Sequence, residues 1–376
     1  FFNVPIEARM RVWWFWMNGT ATKKSITQDL EAMKAKNIAG AILIDNGGDY
    51  APIGPIFMSP EWLELYAHAI KEADRLGLEI SINIQSGAGD PGNPNIADDN
   101  GLKRVTYSET RVSGPGRVEI DLPAPPQQIF YEDIAVQALR RTQSDAGKEI
   151  LMKHWRLKSF NKKAVWNRDL DRYDLSRYYD RYTGNGRAKA LDAEDIIDLG
   201  AHYKNGILTW EVPEGEWTIV RYGMTSTGKR NNSASEGYRG GLCYDPINKR
   251  GITAHFRDVA KPLIDTAWKN GNSLKFIHVD SWEMGIVNWT QDFGTEFKER
   301  RGYDIGPYLP VLAGRLVGSR DISNRFLEDY RLTIGDLAVE HNYKLLKTLA
   351  GAEGIAMHSE SAGPHIPPVD GLRCLG

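Results

Sequence analysis

The chain has 376 residues with 47 Lys and Arg against 49 Asp and Glu, and its net charge of −2 gives no electrostatic footprint for nucleic acid or an anionic membrane. No apolar run approaches the roughly 18 residues of a membrane span. The two cysteines, Cys243 and Cys374, lack the spacing of a zinc site or a disulfide framework.

The first hundred residues predict strands that alternate with helices. Short apolar, β-branched runs are typical of buried parallel strands, and apolar residues three and four apart are typical of helices. Ser25 with Gln28 suggests a capping box, and Ser59 before Pro60 suggests a second helix start. The predicted strands are Arg11–Met17, Ile38–Ile44 and Leu78–Ile84, and the predicted helices are Ser25–Lys36 and Glu61–Leu76.

The spacing of hydrophobic residues then changes to every second residue. From Val105 to about Tyr244, short alternating segments are separated by Pro and Gly, which predicts an antiparallel β-rich domain inserted into the α/β fold. The polar stretch Lys153–Asp192 stays ambiguous. The expected segments are Val105–Tyr107, Arg117–Ile120, Ile134–Leu139, Ile207–Trp210 and Trp217–Tyr222.

After Gly251 the α/β pattern returns. The predicted helices are Ile252–Trp268 and Ser323–Leu349, and the predicted strands are Leu274–Val279 and Ile355–Ser359. We therefore expect residues 1–104 and 251–376 to form one α/β unit with parallel strands and residues 105–250 the β-rich domain. Five strands cannot close an eight-stranded barrel, so the fold is an open sheet or, as we favour, one piece of a longer chain.

The chain begins at Phe1 without an initiator Met. We expect that a targeting segment has been removed and that the protein is periplasmic or secreted.

Polar side chains follow the predicted strands, where ligands bind in α/β barrels. Glu283 and Glu360 follow successive strands, as would suit two carboxyl groups on either side of a sugar in a glycoside hydrolase. Single acids at these positions could instead cap helices or face solvent. The residues expected on this rim are Asn18, Asp45, Asn83, Asp280, Glu283, His358 and Glu360.

Aromatic residues beside these acids suggest a sugar-binding surface. An indole in a polar loop gives up about 1.5 to 3 kcal/mol of burial unless something packs on it, and the C–H face of a sugar ring is an obvious partner. The predicted substrate-binding residues are Asn18, Trp14, Asp45, Asp280, Trp282, Asn288, Trp289 and His358.

Two glycine-rich segments partly match phosphate-binding motifs. Gly87–Gly92 fits GxGxxG, but Pro91 and the following Asn-Pro-Asn argue against the helix that would hold a pyrophosphate. Gly223–Lys229 resembles a Walker A loop, but Arg230 stands where the magnesium-binding Ser or Thr belongs. A nucleotide-binding function is therefore not favoured, and no GxSxG motif supports a serine hydrolase.

Several long motifs carry a resemblance to a known family. They are Trp13–Gly19, Ile26–Gly40, Phe57–Trp62, Asp280–Glu283 with Asn288–Thr290, Arg300–Asp304 and Pro307–Pro310. Over nearly the whole chain they resemble glycoside hydrolase family 106, the α-L-rhamnosidases. The resemblance implies a (β/α)8 barrel with an inserted β-domain, calcium-assisted inverting hydrolysis and catalytic glutamates, of which Glu283 matches best and Glu360 second. The family usually continues into a further strand with another glutamate, and it has a tryptophan that the loop Gly87–Ile96 lacks.

The leading hypothesis is an inverting hydrolase of terminal α-L-rhamnosides in polysaccharides or glycoconjugates. Glu283 between Trp282 and Met284 would be the general acid, because apolar neighbours favour the protonated form. Glu360 between two serines, or a glutamate beyond Gly376, would be the base. The alternative from another class is a non-catalytic glycan-binding protein on the same scaffold.

Overall fold

The computed structural model describes residues 4–141, 152, 155–160, 190–285 and 287–361. The strands are β1 Arg11–Met17, β2 Gly40–Asn46, β3 Glu79–Asn83, β4 Gly92–Asn93, β5 Lys103–Asp121, β6 Tyr131–Arg140, β7 Ile196–Asp198, β8 Tyr203–Lys204, β9 Ile207–Ser226, β10 Leu242–Cys243, β11 Leu274–Val279 and β12 Ala356–Ser359.

The α-helices are α1 Lys23–Ala35, α2 Pro60–Leu76, α3 Trp155–Lys158, α4 Lys249–His255, α5 Lys261–Trp268, α6 Phe293–Arg301, α7 Leu309–Leu312, α8 Arg320–Leu337 and α9 Leu345–Ala352. The π-helical segment Phe256–Ala260 joins α4 to α5, and Ala338–Lys344 joins α8 to α9. Short 3₁₀ helices lie at Ile6–Ala8, Asp98–Asn100, Ala193–Asp195, Gly200–His202 and Gly306–Tyr308.

The chain divides into two compact units. The first combines Phe1–Leu102, Gly228–Gly285 and Leu337–Gly376, and the second combines Lys103–Thr227 and Ile286–Asp336. The structure therefore assigns the segment after Gly228 to the first unit, and α6 and α7 to the second. The predicted domain boundaries at 104 and 250 stay a prediction.

The first unit contains a five-stranded parallel sheet in the order β1-β2-β3-β11-β12. Because side chains alternate along a strand, the sheet has two different faces. Trp14 and Trp16 of β1 lie on one face and pack in a core with residues of α1, α2 and α5. Trp13 and Phe15 lie on the other face and are 45% and 48% exposed. The predicted parallel sheet is confirmed, and its closure into an eight-stranded barrel stays a prediction.

Helix starts follow capping chemistry, with one correction to the sequence interpretation. Ser59 caps α2 by accepting a hydrogen bond from Trp62 N, and Gly77 ends the helix in the left-handed conformation. The cap of α1 is Thr22 rather than Ser25. Thr22 Oγ1 accepts from Ser25 N at 3.1 Å while Ser25 Oγ accepts from Thr22 N at 3.0 Å, so Ser25 is the third helical residue and Gln28 has no part in the cap.

The second unit contains an antiparallel sheet in the order β5-β9-β6-β7, with β8 paired to β9. This confirms the switch to β structure. The single strand β5 contains both Val105–Tyr107 and Arg117–Ile120. The Gly-Pro-Gly between them shifts the pairing register at Gly114 to Gly116 but does not end the strand. The two segments expected after Ile207 merge in the same way into β9, and most of Lys153–Asp192 lies outside the described residues.

Candidate active site

Three chemically active side chains converge where the adjacent strands β11 and β12 end. His278 lies in β11 with Asp280 just after it, and Glu360 directly follows β12. One ligand-type atom from each of these three residues lies within 4.8 Å of the others. Glu360 N donates to Val279 O at 3.0 Å, which continues the strand pairing to the acid itself. The sheet register therefore places the two carboxyl groups side by side.

The environment of the two acids favours their protonated forms. Burial, opposed by hydrogen bonds from Ser281 and Gly89, raises the pKa of Asp280, and the nearby Glu283 raises it further. Burial and the charges of Asp280 and Glu283 raise the pKa of Glu360. This corrects the expectation that serine donors keep Glu360 ionised, because the hydroxyls of Ser359 and Ser361 hydrogen-bond to each other at 2.6 Å.

A pair of histidines lies on the same sheet face. His278 and His358 are register partners, and a 2.9 Å hydrogen bond joins their Nδ1 atoms, so one ring carries the proton there. Burial and the neighbouring ring lower the pKa of His278 to about 3, and burial and Arg11 lower the pKa of His358. His278 Nε2 is buried and, among the described residues, has no hydrogen-bond partner. His278, which contributes one ring nitrogen to the cluster with the two carboxyl groups, is therefore a candidate ligand for a cation.

Glu283 is held at the rim by the glycine loop that follows β3. Its amide N donates to Gly89 O at 2.8 Å, and Ser281 Oγ donates to its Oε1 at 3.3 Å. A Cβ at Gly89 would lie 2.4 Å from Glu283 Cγ, and the φ of Gly89 is +71°. Only glycine allows this approach, so the loop fixes where the exposed Glu283 carboxylate stands.

Two predicted site residues lie on the opposite, helix-facing side of the sheet. Trp14 is buried in the core, with its Nε1 donating to Asp29 Oδ2 at 3.0 Å. Asp45 is 1% exposed and accepts hydrogen bonds from Trp62 Nε1 and Ser86 Oγ, and burial raises its pKa to about 6. The expectations that Asp45 lies on the rim and that Trp14 binds substrate are corrected, because strand alternation points both side chains toward the helices.

Asn18 follows β1 as expected, but its amide is committed to the fold. Its Nδ2 donates to Gly48 O at 2.7 Å and to Ala51 O at 3.0 Å, and its Oδ1 accepts from Glu236 N at 3.2 Å. The residue ties three loops together, and this corrects the expectation of a free amide for substrate.

The two tryptophans expected to stack on a sugar are covered by protein. Trp282 is 1% exposed and donates through Nε1 to Gly285 O at 3.0 Å. Trp289 belongs to the second unit, is 4% exposed and packs on Phe293 at a centroid distance of 4.8 Å. Asn288 is also buried there, where its Oδ1 accepts from Val105 N at 2.7 Å. The inference that these indoles need a sugar to bury them was wrong, because neighbouring protein groups already bury them.

The prediction omitted two residues that the structure brings to the rim. His278 shares a strand face with Asp280, two residues on, so the period of two in β11 could have indicated it. Gly89 carried no such signal, because its contact with Glu283 joins loops distant in sequence. The loop containing Gly87 and Gly89 leads into β4 and not a helix, in agreement with the argument against a dinucleotide site.

Comparisons with known proteins point to one family. The model of Glyco_hydro_106, described as alpha-L-rhamnosidase, matches residues 2–374. A Formosa agariphila protein named "Putative beta-glucuronidase" is 34% identical over 382 residues, which cover 99% of this chain and 31% of that protein. The structure of a rhamnosidase from Novosphingobium sp. PP1Y is similar with a TM-score of 0.80 at 23% identity, covering 95% of this chain and 46% of that one.

The chain therefore spans less than half the length of either of these proteins. Within the part that the structure describes, no helix is long and apolar enough to cross a membrane.

Proposed function

Because the chain belongs to glycoside hydrolase family 106, the alpha-L-rhamnosidases, we propose that its protein hydrolyses terminal α-L-rhamnosides of polysaccharides or glycoconjugates with inversion. The observation that carries the proposal is the convergence of Asp280 and Glu360 at the ends of neighbouring strands, with Glu283 close enough to shift the pKa of both. Paired carboxyl groups are the chemical requirement for glycoside hydrolysis.

In the proposed mechanism Glu283 is the general acid that protonates the leaving oxygen. The Gly89 contact and the Ser281 hydrogen bond support this role, since they hold the carboxyl group at one position on the rim. The base that deprotonates water is Glu360 or a glutamate further along the chain. Inversion requires the two carboxyl groups to stand about 6.5 to 9.5 Å apart, so that water fits between them and the sugar.

We also propose a calcium ion at this rim. Asp280 and Glu360 supply the hard oxygen ligands that Ca²⁺ prefers, and a ring nitrogen of His278 belongs to the same cluster. Asp280 and Glu360 would hold the ion, whose charge would help to orient sugar hydroxyls. With Glu360 bound to the ion, the base would be the glutamate further along the chain. Loss of activity of the whole enzyme on exhaustive chelation, restored by Ca²⁺, is the expected result. Full activity after chelation would contradict it.

The test of the function uses the whole protein and a panel of aryl glycosides that includes α-L-rhamnoside and β-D-glucuronide, because one relative carries the glucuronidase name. We expect hydrolysis of the rhamnoside, with β-L-rhamnose as the first product by proton NMR. An α-product would contradict the water-activating base, and hydrolysis of the glucuronide alone would contradict the substrate assignment.

The acid role has its own test. Glu283→Gln should lose far less rate on a dinitrophenyl rhamnoside than on a natural substrate, because a good leaving group does not need the proton. An equal loss on both substrates would remove Glu283 from this role. No turnover by the wild-type protein, with sugar affinity unchanged in Glu283→Gln, would favour the non-catalytic glycan-binding alternative.

The periplasmic or secreted location is also a proposal, and fractionation of the native cells tests it. Recovery of the protein from the cytoplasmic fraction would contradict it.

A further inference from the structure

A cavity of about 330 Å³ lies in the first unit beside the loops that follow β3 and precede β10. Arg230 and Arg239 line it together with Asp98, three apolar side chains and three glycines. The volume suits one or two sugar rings. None of the residues named for the proposed hydrolysis belongs to its lining.

The two arginines give the cavity an excess of positive charge. Arg230 Nη1 donates to Gly240 O, and no carboxylate among the described residues forms an ion pair with it. Arg239 lies 3.5 Å from Asp49, but that acid's side chain is 94% exposed, so solvent screens the pair. Most of the N–H donors of two planar guanidinium groups therefore remain available for a bidentate anion.

The remaining lining suits a sugar ring. Pro94, Ile96 and Leu242 supply the apolar part of the lining. Gly241 packs so closely on Asn93 that a Cβ would lie 2.3 Å from the Asn93 carbonyl carbon. The Asn93 backbone therefore excludes a side chain at Gly241, and this part of the wall is bare backbone.

The loop before β10 is bonded to the loop that positions Glu283. Asn231 Nδ2 donates to Ser86 O at 2.7 Å, and Ser233 Oγ donates to Ala88 O at 3.0 Å. The next residue is Gly89, which touches Glu283. The cavity is thus connected to the rim through one hydrogen-bonded pair of loops.

We propose that this cavity is a binding subsite for an anionic sugar unit, in which Arg230 and Arg239 bind a carboxylate or a sulfate ester. The proposal rests on the proposed glycoside hydrolase function for the idea that the ligand is a glycan. It adds to that function the substrate class: glycans that carry a negative charge as well as rhamnose.

Direct binding tests the subsite without requiring hydrolysis. Titration calorimetry of the whole protein would use methyl β-D-glucuronide, glucose 6-sulfate and the neutral methyl β-D-glucoside. We expect an anionic sugar to bind at least about tenfold more tightly than the neutral one, because hydrogen bonds between charged groups are the stronger kind. Tighter binding of the glucuronide would identify the ligand group as a carboxylate, and tighter binding of glucose 6-sulfate would identify it as a sulfate ester.

The variants are Arg230→Gln and Arg239→Gln, with Arg257→Gln as the matched control. Arg257 is a surface arginine paired with Asp258, outside the cavity. Each cavity variant should weaken anion binding about tenfold or more, and the control should leave it unchanged. All three arginines are exposed, so the variants should fold, and circular dichroism checks this.

Equal affinity for the anionic and neutral sugars, or equal losses in the cavity and control variants, would overturn the subsite. Neither outcome depends on turnover. A protein that binds the anion through Arg230 but hydrolyses no rhamnoside would keep the subsite and refute the proposed function. Hydrolysis without anion selectivity would do the reverse.

Discussion

At the scale of single residues, His255 shows how burial fixes a protonation state. The ring is fully buried, its Nδ1 accepts from Asn93 Nδ2 at 3.0 Å, and its Nε2 donates to Ile84 O at 2.8 Å. Both bonds suit the neutral ring. A second proton on Nδ1 would face the amide donor of Asn93, so the fold binds only the uncharged form well.

We therefore predict an acid-dependent loss of stability that His255 causes. Burial lowers its pKa to about 4 from an ordinary value of 6.5. As the pH falls, the unfolded state binds a proton on His255 before the folded state does. The stability that the neutral ring contributes is therefore fully present above pH 6.5, and roughly 3 kcal/mol of it is lost as the pH falls toward 4. Chemical denaturation at several pH values gives the free energy of unfolding at each pH. In this range it should fall less steeply with falling pH for His255→Gln than for wild type. Parallel curves would contradict the prediction.

A second residue-scale prediction concerns the glycine that contacts Glu283. Gly89→Ala should lower stability by about 1 kcal/mol through its left-handed backbone and should also reduce kcat by displacing Glu283. Gly354→Ala is the matched control, because Gly354 has a φ of +73° and a Cβ added there would meet no atom within 4 Å. Thermal melts and kcat are measured for both. If the two variants lose the same activity, the contact with Glu283 has no catalytic importance.

At the scale of elements, the start of α1 differs from the start that its sequence motif predicts. Both Thr22 and Ser25 are suitable caps, and the pattern Ser25 to Gln28 is the more familiar capping box. The structure uses Thr22, because its extended φ and ψ of −133° and 154° place it just outside the helix.

Two substitutions test this helix start. Thr22→Ala should lower the free energy of unfolding by about 1 kcal/mol, because the amide of Ser25 loses its acceptor. Gln28→Ala should change it by less than about 0.5 kcal/mol, since Gln28 is an exposed helix residue. Urea denaturation of both variants provides the measurement. A larger loss in Gln28→Ala than in Thr22→Ala would restore the helix start expected from the sequence.

At the scale of the whole molecule, the parallel sheet has one face covered by helices and one face with exposed aromatic residues. Trp13 and Phe15 stack at a centroid distance of 6.1 Å, and Trp13 also packs edge-on against His278. Apolar patches on this scale mark surfaces that other polypeptide or ligand covers. The pair Trp13 and Phe15 is therefore a candidate contact surface.

The polypeptide from Phe1 to Gly376, purified alone, should therefore bind a hydrophobic dye and self-associate. Trp13→Thr with Phe15→Thr should reduce both, while Tyr50→Thr should not, although Tyr50 is 82% exposed. Dye fluorescence and sedimentation measure the two effects. Equal dye binding and self-association in the wild type and in the double variant would contradict the prediction.

The sequence by itself determined the parallel strands, the switch to β structure near residue 105, and the two glutamates that follow β11 and β12. These features depend on local hydrophobic period and on residues close in the chain, so composition and spacing are enough to indicate them. The bounds of β1 and β11 were predicted to the residue.

Only the tertiary structure decided which side chains of those elements reach the rim. Asp45 and Trp14 turned toward the helices, Trp282 and Trp289 were covered by their own loops, and His278 joined Asp280 and Glu360. The physical reason is that burial and hydrogen-bond partners arise from contacts between residues far apart in sequence. A polar or aromatic residue beside a strand end can satisfy its needs within the protein as readily as with a ligand, and the sequence does not record which it does.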